Sequence, residues 1–245
     1  MDKTHRKISA DQLHYQEASR THPANTYFHF SFAQYHNPVR VKFGNLRVLN
    51  DDDVQPQGGF DTHPHRDMEI VSYVVGGKLT HRDSAGFHDT LGRGHVQIIS
   101  AGTGVTHSEL NEEEEWCRFL QIWILPEAAG LPVRYENHKF KLQDRKNKLL
   151  HIVGNSKDKE LAPLYVCQDV NLYVSELTEK DKSITFSLEK SRQAYLNCFE
   201  GSINIEGFPS LGERDSVELH GRTELKISLA SDNAHFILIE MEEAA

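Results

Sequence analysis

The stretch that decides the fold is residues 63–110, HPHRDMEIVSYVVGGKLTHRDSAGFHDTLGRGHVQIISAGTGVTHSEL. Short runs rich in Val, Ile, Leu and Tyr (Glu69–Val75, Lys78–Arg82, His95–Ser100) are punctuated by Gly, Asp and Ser, which is the pattern of strands joined by turns. The pattern extends outward to Leu46–Leu49 and Arg118–Leu125. A second series follows in Lys148–Val153, Asn171–Leu177, Ser183–Leu188, Ala194–Phe199, Ser202–Glu206, Glu224–Leu229 and His235–Glu240. So many short strands without interleaved helices predict an all-β chain of sandwich or barrel type. One short helix is expected, over Asp11–Arg20 (DQLHYQEASR).

Length and charge narrow the function classes. The 245 residues allow one large β domain or two smaller ones, and 38% hydrophobic content is enough for a core. With 27 basic and 36 acidic side chains the formal charge is −9, which disfavours direct nucleic-acid binding through phosphate contacts. No apolar run approaches the roughly 18 residues of a membrane helix, and the opening MDKTHRKISADQ has no signal-peptide core. Three cysteines far apart, Cys117, Cys167 and Cys198, argue against a disulfide framework. The expectation is a cytoplasmic protein with no membrane or nucleic-acid partner.

Pro126–Asn147, with two prolines and the charged run KFKLQDRKNK, reads as a crossing between two halves. A faint internal repeat supports the division: VVGGKLTHRDSAGFHDTLGRG and CFEGSINIEGFPSLGERDS share a strand, a Gly, a short strand and a Gly-rich corner. With Gly77 set against Gly201, His63 and His65 fall opposite Ser187 and Glu189. The expected organisation is an N-terminal domain over 1–130 that carries the chemistry and a C-terminal domain over 131–245 that lacks it.

Histidine is the outlying feature. The chain has 15, and His63, His65, His81, His88, His95 and His107 fall within 45 residues. In an extended segment residues two apart share a face, so His63 and His65 can converge on one ion. His107 and Glu109 repeat that spacing with an imidazole and a carboxylate. Together they offer three nitrogens and one oxygen, a set that suits Fe(II), Ni(II), Cu(II), Mn(II) or Zn(II) and leaves coordination positions open. Gly58-Gly59 and Gly102-Thr103-Gly104 precede the two pairs and fit tight turns. Met68, Ile70, Ser72, Phe119, Gln121 and Trp123 are candidates to line the cavity, and His81 reads as a strand-end histidine. Cys117 and Cys198 read as buried packing residues, and Glu112–Glu115 as a solvated loop.

Four ordered blocks, HPHRDMEIVSYVVGG, THRDSAG, VQIISAGTGVTHSE and FLQIWILP, resemble the pirin family of the cupin superfamily, and especially its quercetin 2,3-dioxygenase-like bacterial members. The likeness starts near FHFSFAQYHNP (Phe28–Pro38) and LRVLNDD (Leu46–Asp52), runs to about Phe140, and continues more loosely to the end. It implies a bicupin, two jelly-roll-like cupin domains with one mononuclear metal in the first. Carried over by position, the metal ligands are His63, His65, His107 and Glu109. Cupins in general take a Glu that follows HxH after three intervening residues, which here would be Glu69, whereas pirins take the carboxylate of the HSE block. Glu69 is then a partner for a ligand imidazole or a solvated or salt-bridged strand carboxylate.

The resemblance implies a dioxygenase that cleaves a flavonol such as quercetin with dioxygen and releases carbon monoxide. One divalent transition-metal ion, foremost Fe(II), would be the cofactor, and Glu109 the proton acceptor. The other reading is an iron-binding, redox-sensing transcriptional cofactor that binds a protein partner and has no obligatory substrate.

Overall fold

The computed structural model describes residues 5–158 and 160–243. In chain order the strands are β1 (His5–Ile8), β2 (His14–Gln16), β3 (Ala24–Phe28), β4 (Leu46–Val54), β5 (Gly58–His65), β6 (Glu69–Gly76), β7 (Leu79–Asp83), β8 (His88–Leu91), β9 (His95–Ser100), β10 (Val105–Asn111), β11 (Cys117–Ile124) and β12 (Arg134–Lys139). After a one-turn helix α1 (Leu142–Arg145) come β13 (Leu150–Asn155), β14 (Leu164–Val166), β15 (Val170–Leu177), β16 (Ser183–Leu188), β17 (Arg192–Ile205), β18 (Ser216–His220) and β19 (Thr223–Glu242). The all-β, two-cupin architecture expected from the sequence is the one observed, with sheets that pack as sandwiches and do not close into barrels. Among the described residues no helix is long and apolar enough to cross a membrane.

Two compact units divide the chain: one takes His14–Phe140 and Leu164–Gln168, the other the chain up to Leu13, Lys141–Pro163 and the chain from Asp169. The first therefore runs ten residues past the expected boundary at 130 and includes the short β14. Its seven-stranded sheet has the order β12-β9-β6-β11-β4-β3-β2, and its four-stranded sheet the order β5-β10-β7-β8. In the other unit the order is β1-β18-β17-β19-β15-β13, with β16 also paired to β19.

β6 shows why the sequence takes this form. Its β-branched run is flanked by β9 and β11, and every residue but the last is buried, so both faces are covered. Alternation then gives Ile70, Ser72 and Val74 to one face, and Ser72 stands directly opposite Gln121 of β11 and Gln97 of β9. The register continues to Asn50 of β4 beyond Gln121 and to Asn137 of β12 beyond Gln97. Five adjacent strands thus place five polar side chains in one row across the sheet.

Several expectations are corrected. Asp11–Arg20 is not helical: a 3-10 turn over Ala10–Gln12 leads into β2, whose backbone pairs with β3. Ten residues are too few for a helix to hold against such pairing. The crossing after Pro126 contains β12, hidden in sequence because RYENHK turns only Tyr135 into the core. Ala194–Phe199 and Ser202–Glu206 form one strand, β17, and Glu224–Leu229 and His235–Glu240 form another, β19; bulges near Glu200 and Ser202 keep their shared ladder continuous. Gly77 and Gly201, aligned in the repeat, have φ of 71° and 68°, and at each a Cβ would meet the backbone oxygen of a neighbouring segment.

Candidate metal centre

The site lies on the four-stranded sheet of the first unit. β5 and β10 run antiparallel with His63 opposite His107 and His65 opposite Val105. A bulge follows, in which Asp61 and Thr62 face the single residue Ser108, so that Glu109 comes opposite Phe60. Phe60 and His63 are three apart and would point to opposite faces of a regular strand; the bulge lets both border one cavity.

The imidazoles of His63, His65 and His107 stand 4.5–4.8 Å apart between ring centres, and one nitrogen from each lies within 4.8 Å of the others. This is a group that could hold a metal ion, and the chemistry of its donors agrees. His63 Nδ1 lies 2.7 Å from the Asp61 carbonyl, which can only accept, so Nδ1 carries the proton and Nε2 keeps a free lone pair. His107 is 1% exposed, yet neither of its ring nitrogens has a hydrogen-bond partner. Burial, with the neighbouring His63 and His81, pushes its pKa down to about 3. Burial also lowers His65 to about 4, helped by His107 and His63. At neutral pH both rings are therefore uncharged and present lone pairs, the form a cation requires.

Glu109 is 1% exposed and held by the polar row. One carboxylate oxygen accepts from the Ser72 hydroxyl at 2.7 Å and Gln97 Nε2 at 2.8 Å; the other accepts from Gln121 Nε2 at 2.6 Å. A carboxylate has about four lone-pair sites, and this one has one left. Behind His107, His81 is fully buried, stacks on Tyr135 at 4.4 Å and pairs its Nε2 with Asp83 at 3.0 Å. It packs against a member of the cluster, 5.4 Å from the His107 ring, and is more than a strand-end residue.

Glu69 is elsewhere. The chain turns at Asp67, and Glu69 lies on the face of β6 opposite Ile70, where Ser100 Oγ and the Cys167 N–H donate to it. It makes no contact with the histidines. Of the cavity candidates, Gln121 and Trp123 line a space of about 190 Å³ together with His63, His65 and Glu109. The remaining walls, Phe32, Phe60, Asn50, Asp52 and His22, went unread in the sequence. Gln97 carried a usable signal, a polar residue inside the apolar run VQII of β9. The Trp123 indole meets His65 edge-on at 4.9 Å and Phe32 at 5.1 Å, giving the cavity an aromatic side.

Residues 12–124 match the pirin family, and residues 153–241 match the quercetinase C-terminal cupin domain. A Pseudomonas aeruginosa protein provisionally named a quercetin 2,3-dioxygenase is 38% identical over 89% of this chain and 92% of its own. The Escherichia coli K12 quercetin 2,3-dioxygenase is 35% identical over 82% of this chain and 87% of its own. Among solved structures, the Escherichia coli pirin YhhW in complex with nickel(II) superposes with a TM-score of 0.88 at 30% identity, covering 98% of this chain and all of that one. With both halves matched and relatives alike over most of its length, the chain belongs to the pirin family.

Proposed function

We propose that this protein is a metal-dependent dioxygenase that cleaves a flavonol such as quercetin with dioxygen and releases carbon monoxide. The observation that carries the reading is the meeting of three imidazoles beside a cavity that Glu109 lines together with Phe32, Phe60 and Trp123. Three nitrogens and one oxygen suit several first-row ions. Fe(II) is our assignment, with Ni(II), Cu(II), Mn(II) and Zn(II) as alternatives. His63, His65, His107 and Glu109 would hold the ion. When bound, it supplies open coordination positions for a substrate oxygen and dioxygen and makes a bound hydroxyl more acidic.

The chain's own residues do the rest. The aromatic wall binds a flat substrate and keeps water from the reacting ring. Glu109 has one lone-pair site to offer, to the ion or to a proton; detached from the ion, it takes the proton of the flavonol 3-hydroxyl, for which a carboxylate must lie within hydrogen-bond reach. Ser72, Gln97 and Gln121 fix the angle at which it does so. The names of the relatives support the substrate class. The three cysteines are free, in keeping with a cytoplasmic setting.

The test is to strip the protein, reload it separately with Fe(II), Ni(II), Cu(II), Mn(II) and Zn(II), and follow quercetin loss with carbon monoxide release under air. Turnover with a redox-active ion, absent in His107→Ala and Glu109→Ala, is the expected result. Tight stoichiometric metal binding with no turnover under any ion would contradict it and favour a redox-sensing, partner-binding role.

A further inference from the structure

A second carboxyl borders the same cavity, and the mechanism above does not use it. Asp52 is 3% exposed on β4, two residues from Asn50 and on the same face, and it lines the cavity with His65 and Glu109. Its Oδ1 accepts the Thr26 hydroxyl at 2.5 Å. A hydroxyl has one proton, so Thr26 Oγ1 can only accept from its other neighbour, His22 Nε2 at 2.8 Å. With Thr26 donating to Asp52, the bonds run from His22 N–H to Thr26 and from Thr26 O–H to Asp52. Among the described residues no donor reaches the other oxygen of Asp52. Burial pushes the pKa of Asp52 up to about 7, the Thr26 hydroxyl opposing the rise and the charges of Asp51 and Glu109 adding to it. Near neutral pH about half of such carboxyls carry their proton, and in that form the group can act as a hydrogen-bond donor.

We propose that Asp52 is a further substrate-contacting residue, a neutral carboxylic acid that donates a hydrogen bond to the keto oxygen of the aromatic substrate, with Thr26 and His22 as its positioning residues. Oδ1 is occupied by Thr26, so the donated proton sits on the oxygen left without a protein partner. This rests on the reading of the cavity as a flavonol site. It adds a residue remote in sequence from the histidine blocks and gives the inward-facing Asp of LNDD a role.

The experiment measures the quercetin dissociation constant, KM and kcat of the metal-loaded protein, with metal content checked for every variant. Asp52→Ala is expected to weaken binding and raise KM about tenfold, the worth of one net hydrogen bond, with metal content unchanged. Asp52→Asn should recover most of that loss, because Thr26 donating to its amide oxygen turns the N–H₂ towards the substrate. Thr26→Val should lose severalfold and Thr26→Ser recover it, which a purely structural role for the hydroxyl's neighbours would not produce. Wild-type turnover with binding unaltered in Asp52→Ala overturns this inference alone, as does an Asn variant that is folded and metal-loaded yet as weak as the Ala variant. A wild type that neither binds nor turns over quercetin overturns the dioxygenase reading with it.

Discussion

The two units build the same kind of β structure and fill it differently. In the second, β16 pairs with the first half of β19, and the inward pairs are Phe186 opposite Leu225 and Ile184 opposite Ile227. These join a core that includes Leu188, Leu196 and Phe236, and Ser187, set opposite His63 by the repeat, is exposed. In the first, the ladder of β5 and β10 carries His63 opposite His107, and Asn50, Gln121, Ser72 and Gln97 cross the facing sheet. Charged groups in the second unit are engaged with one another, Arg192 with both Asp169 and Glu240. In the first, both nitrogens of the buried His107 are left without partners. Unsatisfied buried polar atoms cost free energy, so two on one ring, beside two further imidazoles, mark the place that the structure offers to a ligand.

The comparison can be broken most forcefully at His107. Replacing it with Ala should reduce metal affinity by more than about 100-fold, since even the loss of an outer hydrogen-bonding partner costs 10–100-fold, and should abolish turnover; metal content by plasma emission checks this. Gln121→Leu, which removes one of the donors to Glu109, should lower metal affinity or turnover about 10–100-fold while leaving the fold intact. Leu225→Ala tests the other side. It should cost about 2–5 kcal/mol in denaturant unfolding and leave kcat per folded, metal-loaded molecule unchanged. A Leu225→Ala protein that is as stable as wild type but catalytically impaired would reverse the assignment of roles.

The smallest effect is the pH response of the metal-free protein. His65 and His107 have folded pKa values of about 4 and 3, both lowered chiefly by burial. As pH falls below the ordinary histidine value of about 6.5, the unfolded chain takes up protons that the folded one refuses, so stability declines with falling pH. His107→Asn should shallow that decline between about pH 6.5 and 4, measured as denaturant midpoint against pH. Equal slopes in the two proteins would mean that the His107 ring is not held neutral by the fold.

What could be read from sequence was local. The i, i+2 spacing of His63 with His65 survives folding because strand alternation depends only on neighbours, and His107 joins the pair from the facing strand. The bulge that turns Phe60 inward was invisible, since it is a property of pairing between β5 and β10. Asp52 and His22 were missed for a similar reason: they are separated by 30 positions and joined only through Thr26 on the intervening β3. Glu69 stayed open between two readings because a face shared with His65 assumes a continuous strand; Asp67 at φ 48° interrupts it, and the carboxylate lies 3.9 Å from Arg134 as a salt-bridged strand residue. β12 escaped because a strand that turns one aromatic inward has no alternation to detect.

The most direct test of the central claim is to load the protein with Ni(II) or Fe(II) and locate the ion by anomalous diffraction at its absorption edge. One ion per chain is the expected result, bound by nitrogens of His63, His65 and His107, with a Glu109 oxygen completing the protein ligands. An ion held elsewhere, or one bound without the imidazoles of β5, would contradict it.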